Sequence, residues 1–230
     1  MVASGALSVT VLPAAGREEE IRQLFIDTFE MGSLLRFRPA CFDEFVQLNL
    51  GWFLQNPHAS VVAVDDAGTI AGYALVCGNP RSLDRWVARE MRRFCLVLFV
   101  RIVTLRFDRR SAGFYLRRTL DMIEICTARL RANTVSIPQV HMNIDRSFRS
   151  GRVGLALLSS VDTICLGLGQ TSWTGEINAV AGSRERALAR LIGKIVDRRR
   201  NRTFSWLSGE PVVRLTVIRT IPNPLELVSG

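Results

Sequence analysis

The residues of this chain best suited to chemistry lie between positions 140 and 158, which read Val-His-Met-Asn-Ile-Asp-Arg-Ser-Phe-Arg-Ser-Gly-Arg-Val-Gly-Leu-Ala-Leu-Leu. A strand-like segment runs into a short turn bearing Arg and Gly, and a helix begins at once. The first turn of a helix has amide hydrogens without intrahelical partners and carries the positive end of the dipole. Ser150, Gly151 and Gly154 are small enough to let a diphosphate approach the backbone, and Arg149 and Arg152 add positive charge. The segment therefore reads as a diphosphate cradle. The plain alternative is an ordinary strand-to-helix turn that contains glycine.

Two familiar phosphate loops do not fit. A Walker loop needs a Lys after its second Gly, and none is present here. The dinucleotide fingerprint needs a G-x-G ahead of the third Gly, and Gly151 and Gly154 have none.

What the run Phe148-Arg149-Ser150-Gly151-Arg152-Val153-Gly154-Leu155-Ala156-Leu157-Leu158 resembles is the signature of the GNAT superfamily of acyl-CoA-dependent N-acyltransferases. That signature is Arg/Gln-x-x-Gly-x-Gly/Ala followed by a helix opening Ala-Leu-Leu. Arg149 takes the leading position and Gly154 the last Gly. Arg152 stands where the first motif Gly belongs, with Gly151 displaced by one. The resemblance implies an α/β (α+β) fold with a mixed, mostly antiparallel central sheet flanked by helices. It implies acetyl-CoA or another acyl-CoA as co-substrate, bound along Ile144, Asp145, Arg149, Ser150, Gly151, Arg152, Val153, Gly154, Leu155 and Ala156. It also implies a fourth strand (140–145) that splays from a fifth (172–180) to admit the pantetheine arm, and direct attack by an amine on the thioester.

Within that frame His141 and Glu176 are the candidate bases, each on a strand lining the expected cleft, and Asn143 is placed to orient a substrate. An imidazole ordinarily titrates near neutral pH, which favours His141, although a lone strand histidine is more often structural. The superfamily often places a Tyr near the end of the helix after strand five. Residues 184–192 contain no Tyr, and the chain's tyrosines are Tyr73 and Tyr115.

The positioning elements are legible in outline. Helices are expected over 16–31, 42–54 and 150–169, and strands over 7–12, 60–64, 69–77, 136–145 and 172–180. A short helix over 184–192, capped by Ser183, is expected to precede a closing hairpin of strands 203–207 and 212–218. The chain reads as one domain, with a loose tail from residue 222. Between strands three and four, residues 81–131 form an Arg-rich apolar insertion expected to make helices over 83–107 and 112–130. It suits a lid over an apolar acceptor or long acyl chain, a peripheral membrane contact through 94–107, or plain core and oligomer packing.

Composition limits the alternatives. The 48% hydrophobic and 22% charged fractions are those of a globular protein. Neither a secretory leader nor a membrane span is evident, so a cytoplasmic location is expected. Five dispersed cysteines and two histidines give no metal-ligand spacing; buried, inert thiols are the expectation, with a Cys–His141 nucleophile the weaker reading. The net charge of +9 comes almost wholly from Arg, since Lys194 is the sole Lys, and no nucleic-acid module accompanies it. The expected activity is acyl transfer to a small-molecule amine, as in secondary metabolism. Other thioester chemistry on CoA or a carrier protein, or a non-catalytic basic binding module, are the alternatives.

Overall fold

In a computed structural model, residues 9–31, 33–148, 151–182, 185, 186 and 191–222 are described. The elements are β1 (Val9–Pro13), α1 (Glu18–Asp27), α2 (Phe42–Gln55), β2 (Val61–Asp65), β3 (Ile70–Cys77), α3 (Pro80–Val103), α4 (Arg109–Arg131), β4 (Gln139–Ile144), α5 (Arg152–Gly167), β5 (Ser172–Val180), β6 (Lys194–Arg200), α6 (Arg202–Ser208) and β7 (Val212–Thr220). Seven strands form one sheet in the order β1-β2-β3-β4-β5-β7-β6. All neighbours are antiparallel except β4 and β5, which run parallel.

Local chemistry accounts for the boundaries. The acidic first turn of α1 suits its dipole, and Ile21, Leu24 and Phe25 bury one face at helical spacing. The β2–β3 turn closes because Asp65 Oδ1 accepts from Ala67 N at 3.0 Å and Thr69 N at 2.8 Å. Asn79 accepts from Ser82 N to start α3, with Pro80 in its first turn. Asp108 accepts from Arg110 N and Ser111 N to start α4.

The alternation of β3 divides the core between two layers. Tyr73, Leu75 and Cys77 face α1, α2 and the insertion helices, where Phe29 gathers the rings of Phe25, Phe42, Phe45, Phe114 and Phe204. Ala74 and Val76 face the opposite way, under Val153, Leu157, Leu158 and Val161 of α5. Gly72 is required there, because a Cβ would come within 2.9 Å of the Asn143 carbonyl.

The C-terminal third differs from the sequence expectation. Residues 203–207 lie in helix α6, not in a strand, and the partner of β7 is β6, which carries the basic run 198–200. Five apolar and hydroxyl residues cannot distinguish strand from helix by periodicity. The choice is made by capping. Asn201 accepts from Phe204 N at 2.9 Å, and Asp121, from α4, accepts from Arg202 N, Thr203 N and Thr203 Oγ1 at 3.0, 2.9 and 2.6 Å. The expected helix over 184–192 and its Ser183 cap lie largely outside the described residues, as does the tail beyond 222. The basic run sits on an edge strand, with Arg198 paired to Glu185 and Arg199 to Asp197.

Asp121 is fully buried and ties α4 to the C-terminal elements, since it joins α4 to α6 while its carbonyl accepts from Arg214 Nη1 of β7 at 3.0 Å. Asp121→Ala would strand three donors and remove the counter-charge that faces Arg202 and Arg118. We expect it to cost about 3–5 kcal/mol of unfolding free energy. Urea denaturation checks this; a loss below about 1 kcal/mol would show that α4 is a detachable appendage.

Candidate active site

The two strands of the expected cleft touch and then part. The β4–β5 register holds the single pair Gln139–Thr174, supported by Thr174 N donating to Pro138 O at 2.8 Å. Gly175 permits this contact, because a Cβ there would lie 3.3 Å from the Val140 carbonyl. Asp145 N donates to Ala71 O of β3, so in an antiparallel ladder the edges of odd-numbered β4 residues face β3. The edges of Val140, Met142 and Ile144 therefore face the widening gap toward β5. Ile144 N–H is occupied by Asn143 Oδ1 at 3.0 Å, while beyond Gln139 no β5 residue is registered against Met142. The far edge of β5 is fully engaged, with nine register pairs to β7.

At the end of β4 the chain turns into α5. Asp145 orders that turn by accepting from the Ser147 amide at 2.8 Å and from its hydroxyl. Gly151 is the N-cap at φ 85°, a conformation that favours glycine, and no side chain caps the first turn among the described residues. Leu155 N returns to Gly151 O, leaving the amides of Arg152, Val153 and Gly154 without helical acceptors. Arg152 and Leu155 are exposed, whereas the Val153 side chain is core, so only its backbone is available to a ligand. Gly154 sits over the end of β4, where a Cβ would meet Ile144 Cδ1 at 3.5 Å. Arg149 and Ser150 lie outside the described residues.

Of the three candidate side chains, His141 and Asn143 pack toward α1 and α2, whereas Glu176 makes its contacts with β7. Counting from the Gln139–Thr174 pair, His141 and Glu176 stand two residues along on each strand, with Asn143 two further on β4. His141 is packed against the rings of Phe25, Phe53 and Tyr73 at 5.7, 6.2 and 5.7 Å, and its Nδ1 is buried without a partner. Burial, helped by the charge of Arg118, pushes its pKa down to about 4. The expectation of an imidazole titrating near neutrality is therefore corrected: this histidine is neutral and a weak base. Asn143 donates from Nδ2 to Thr28 Oγ1 of the loop after α1.

Glu176 behaves in the opposite way. Both carboxylate oxygens accept from Thr216 Oγ1 at 3.0 Å, and Arg214 Nε lies 3.4 Å from Oε2. Burial raises its pKa to about 7, with the Thr216 hydrogen bond and the Arg214 charge pulling against it. The side chain keeps 25% exposure while Arg214 has 2%. A partly exposed carboxylate held near half-protonation at neutral pH can exchange a proton with a group that reaches it.

Sequence reasoning missed Arg214 and Thr216 as the partners of Glu176. The signal for Arg214 was present: a buried arginine among the apolar residues of β7 must find negative partners, here Glu176 and, at 4.0 Å, Glu124. The thiols also need correction, because Cys95 and Cys126 are exposed on the insertion helices, whereas Cys41, Cys77 and Cys165 are buried. Burial lifts Cys77 and Cys165 to about 11, out of the nucleophilic range. Among the described residues no cluster of three His, Cys, Asp or Glu could hold a metal. Concavities of about 350 and 290 Å³ lie away from the gap, one between α2 and α3 beside Glu44 and Glu90, the other between β1 and α5.

The Glu176 shift has a stability consequence with a definite sign. The folded state holds this proton up to about pH 7, whereas an unfolded glutamate releases it near about 4.3. Its contribution is thus present below that lower value and lost as pH rises through 7. The depressed His141 pKa acts oppositely, losing stability as pH falls from the ordinary histidine range toward 4. Glu176→Gln should therefore lose about 2 kcal/mol less than the parent between about pH 5 and pH 8 in urea titrations. Parallel losses in the two proteins would show that Glu176 titrates as an ordinary carboxylate.

No protein-family profile matches the chain, and no curated protein matches it in sequence. Solved structures do. SsHAT aligns with a TM-score of 0.57 at 16% identity, covering 94% of this chain and 100% of its own. An agmatine N-acetyltransferase aligns at 0.56 and 16%, covering 92% and 99%. The Drosophila melanogaster polyamine N-acetyltransferase, described as forming N-acetylagmatine, aligns at 0.55 and 16%, covering 93% and 100%. At such identities the likeness speaks to architecture, and it spans nearly all of both chains. The protein has the GNAT fold, with two long helices, α3 and α4, between its third and fourth strands.

Proposed function

We propose that this protein is an acyl-CoA-dependent N-acyltransferase that moves an acetyl or other acyl group to the amine of a small molecule. The observation that carries the reading is the β4–β5 gap, with the open backbone edge of β4 on one side and Glu176 on the other. A pantetheine arm laid along β4 would bond to the Met142 edge, as an added strand does. Its diphosphate would then meet the amides of residues 152–154, where unpaired N–H groups and the dipole favour an anion. This assignment keeps Val153 as a backbone contact only.

In this reading Glu176 is the base. An alkylammonium must lose a proton before its nitrogen can attack, and a carboxylate with a pKa near 7 accepts that proton at working pH. Thr216 and Arg214 hold the carboxylate in place. Neutral His141 forms an apolar wall with Phe25 and Phe53, and Asn143, tied to Thr28, orients the acceptor. The attack forms the amide C–N bond, breaks the thioester C–S bond and expels the CoA thiolate. With a thiol pKa of about 8.5 that leaving group needs little acid assistance, which suits the absence of a Tyr from 184–192. The acceptors to try first are the amines named for proteins of the same fold, agmatine and polyamines.

Thermal shift against acetyl-CoA, longer acyl-CoAs and free CoA tests binding. At tenfold to a hundredfold above Kd the gain should be about 1.4–2.7 kcal/mol. Gly154→Glu should abolish it by placing a carboxylate at the helix N-terminus, and retained affinity would place CoA elsewhere. Release of CoA thiol in the presence of amines tests catalysis. Glu176→Gln should lower kcat roughly 10²–10⁴-fold with little change in CoA binding, and the parent rate should rise with pH through about 7. An unchanged kcat in that variant would remove Glu176 from the mechanism.

A further inference from the structure

The far end of the insertion has no counterpart in this chemistry. Through Phe94, α3 is anchored by buried Leu83 and Trp86 along α2, but from residue 95 to 106 no side chain is buried. Leu96, Phe99, Val100 and Val103 recur at helical spacing on that segment and are each at least half exposed. Leu105 is 92% exposed and stands at φ 55°, the left-handed position usually given to glycine. The cap around it is well tied, since Thr104 N donates to Val100 O, Leu105 N to Ile102 O and Arg106 N to Arg101 O. A firm backbone thus holds a large apolar side chain out from the tip, together with Phe99 and Val103. Scattered exposed leucines are ordinary; a contiguous apolar tip marks a contact surface.

Charge decides what it contacts. Residues 91–120 contain eight arginines and one carboxylate, Asp108, whose oxygens are occupied by Arg110 N, Ser111 N and Ser111 Oγ. Arg101, Arg106, Arg109 and Arg110 are exposed on the segment that carries the apolar tip, and Arg92 and Arg93 are exposed further back along α3, where Arg93 lies 4.0 Å from Glu90. Two copies meeting through this surface would oppose arginine to arginine, with Asp108 the one carboxylate that residues 91–120 of each copy offer against eight arginines. A bilayer bearing anionic headgroups matches both features, receiving the apolar tip below the headgroups and the arginines among them. No helix of the described residues is long and apolar enough to cross a membrane, so the contact is peripheral.

We infer that the tip joining α3 and α4 docks the protein on anionic phospholipid surfaces, inserting Phe99, Val103 and Leu105. This does not depend on the acyl-transfer reading. The test is co-sedimentation of the full chain with phosphatidylcholine vesicles, alone or mixed with phosphatidylglycerol. Binding to the anionic vesicles is expected, with little to the neutral ones and steep loss on raising salt. Leu105→Gly suits the backbone at that position, so it should leave the melting temperature unchanged or higher while weakening partitioning roughly tenfold. Arg106→Gln and Arg109→Gln should each weaken it roughly fivefold. Equal binding to both vesicle types, no binding by the folded parent, or a dimer that Leu105→Gly dissociates would each overturn the inference. None of these variants should alter the thermal shift with CoA, which separates this surface from the cleft.

Discussion

The contact between β4 and β5 governs the rest of the structure. A parallel pair inserted into an otherwise antiparallel sheet lets two strands meet at Gln139 and Thr174 and then diverge. Divergence leaves peptide groups of β4 facing a gap, and unpaired backbone groups are costly unless water or a ligand meets them. The gap does not close because each half of the sheet is fastened independently. On one side β1 to β4 are clamped between the phenylalanine cluster and α5; on the other, β5 is bonded along its length to β7. The halves are joined by α4, whose Asp121 caps α6 and meets Arg214.

Arg214 is the electrostatic counterpart of that geometry. Burying a guanidinium requires acceptors, and it finds the Asp121 carbonyl, Glu176 and Glu124. Glu176 is drawn in two directions: burial favours its protonated form, while Arg214 and Thr216 favour the charged one. The balance falls near neutrality, whereas His141, among aromatic rings with no partner for Nδ1, is driven far from it. The two candidate bases are thereby driven to opposite sides of their ordinary ranges, the imidazole down to about 4 and the carboxyl up to about 7.

Much of this was legible in the sequence. The helices over 42–54, 83–107 and 112–130, the strand over 172–180 and the α5 helix appear close to their expected places, because long amphipathic periods and Pro or Asp boundaries specify them locally. What failed depends on distant partners. Residues 203–207 are helical because Asp121, some eighty positions earlier, caps them, and no local pattern contains that information. The histidine pKa failed for the same reason, since the rings around it come from α1, α2 and β3. Glu176 was singled out for its strand, but the Thr216 and Arg214 contacts that act on its protonation depend on the β5–β7 register. Arg149 and Ser150, the leading residues of the motif, lie outside the described residues, so the phosphate end of the site rests on the backbone after Gly151.

Whether the β4–β5 gap seats the thioester is tested directly by amide hydrogen exchange followed by NMR with and without saturating acetyl-CoA. Slowed exchange confined to the Met142 amide, its β4 neighbours and the amides of residues 152–154 is the expected result. If acetyl-CoA bound while those amides exchanged unchanged and protection appeared elsewhere, the cleft described here would not be the acyl-donor site.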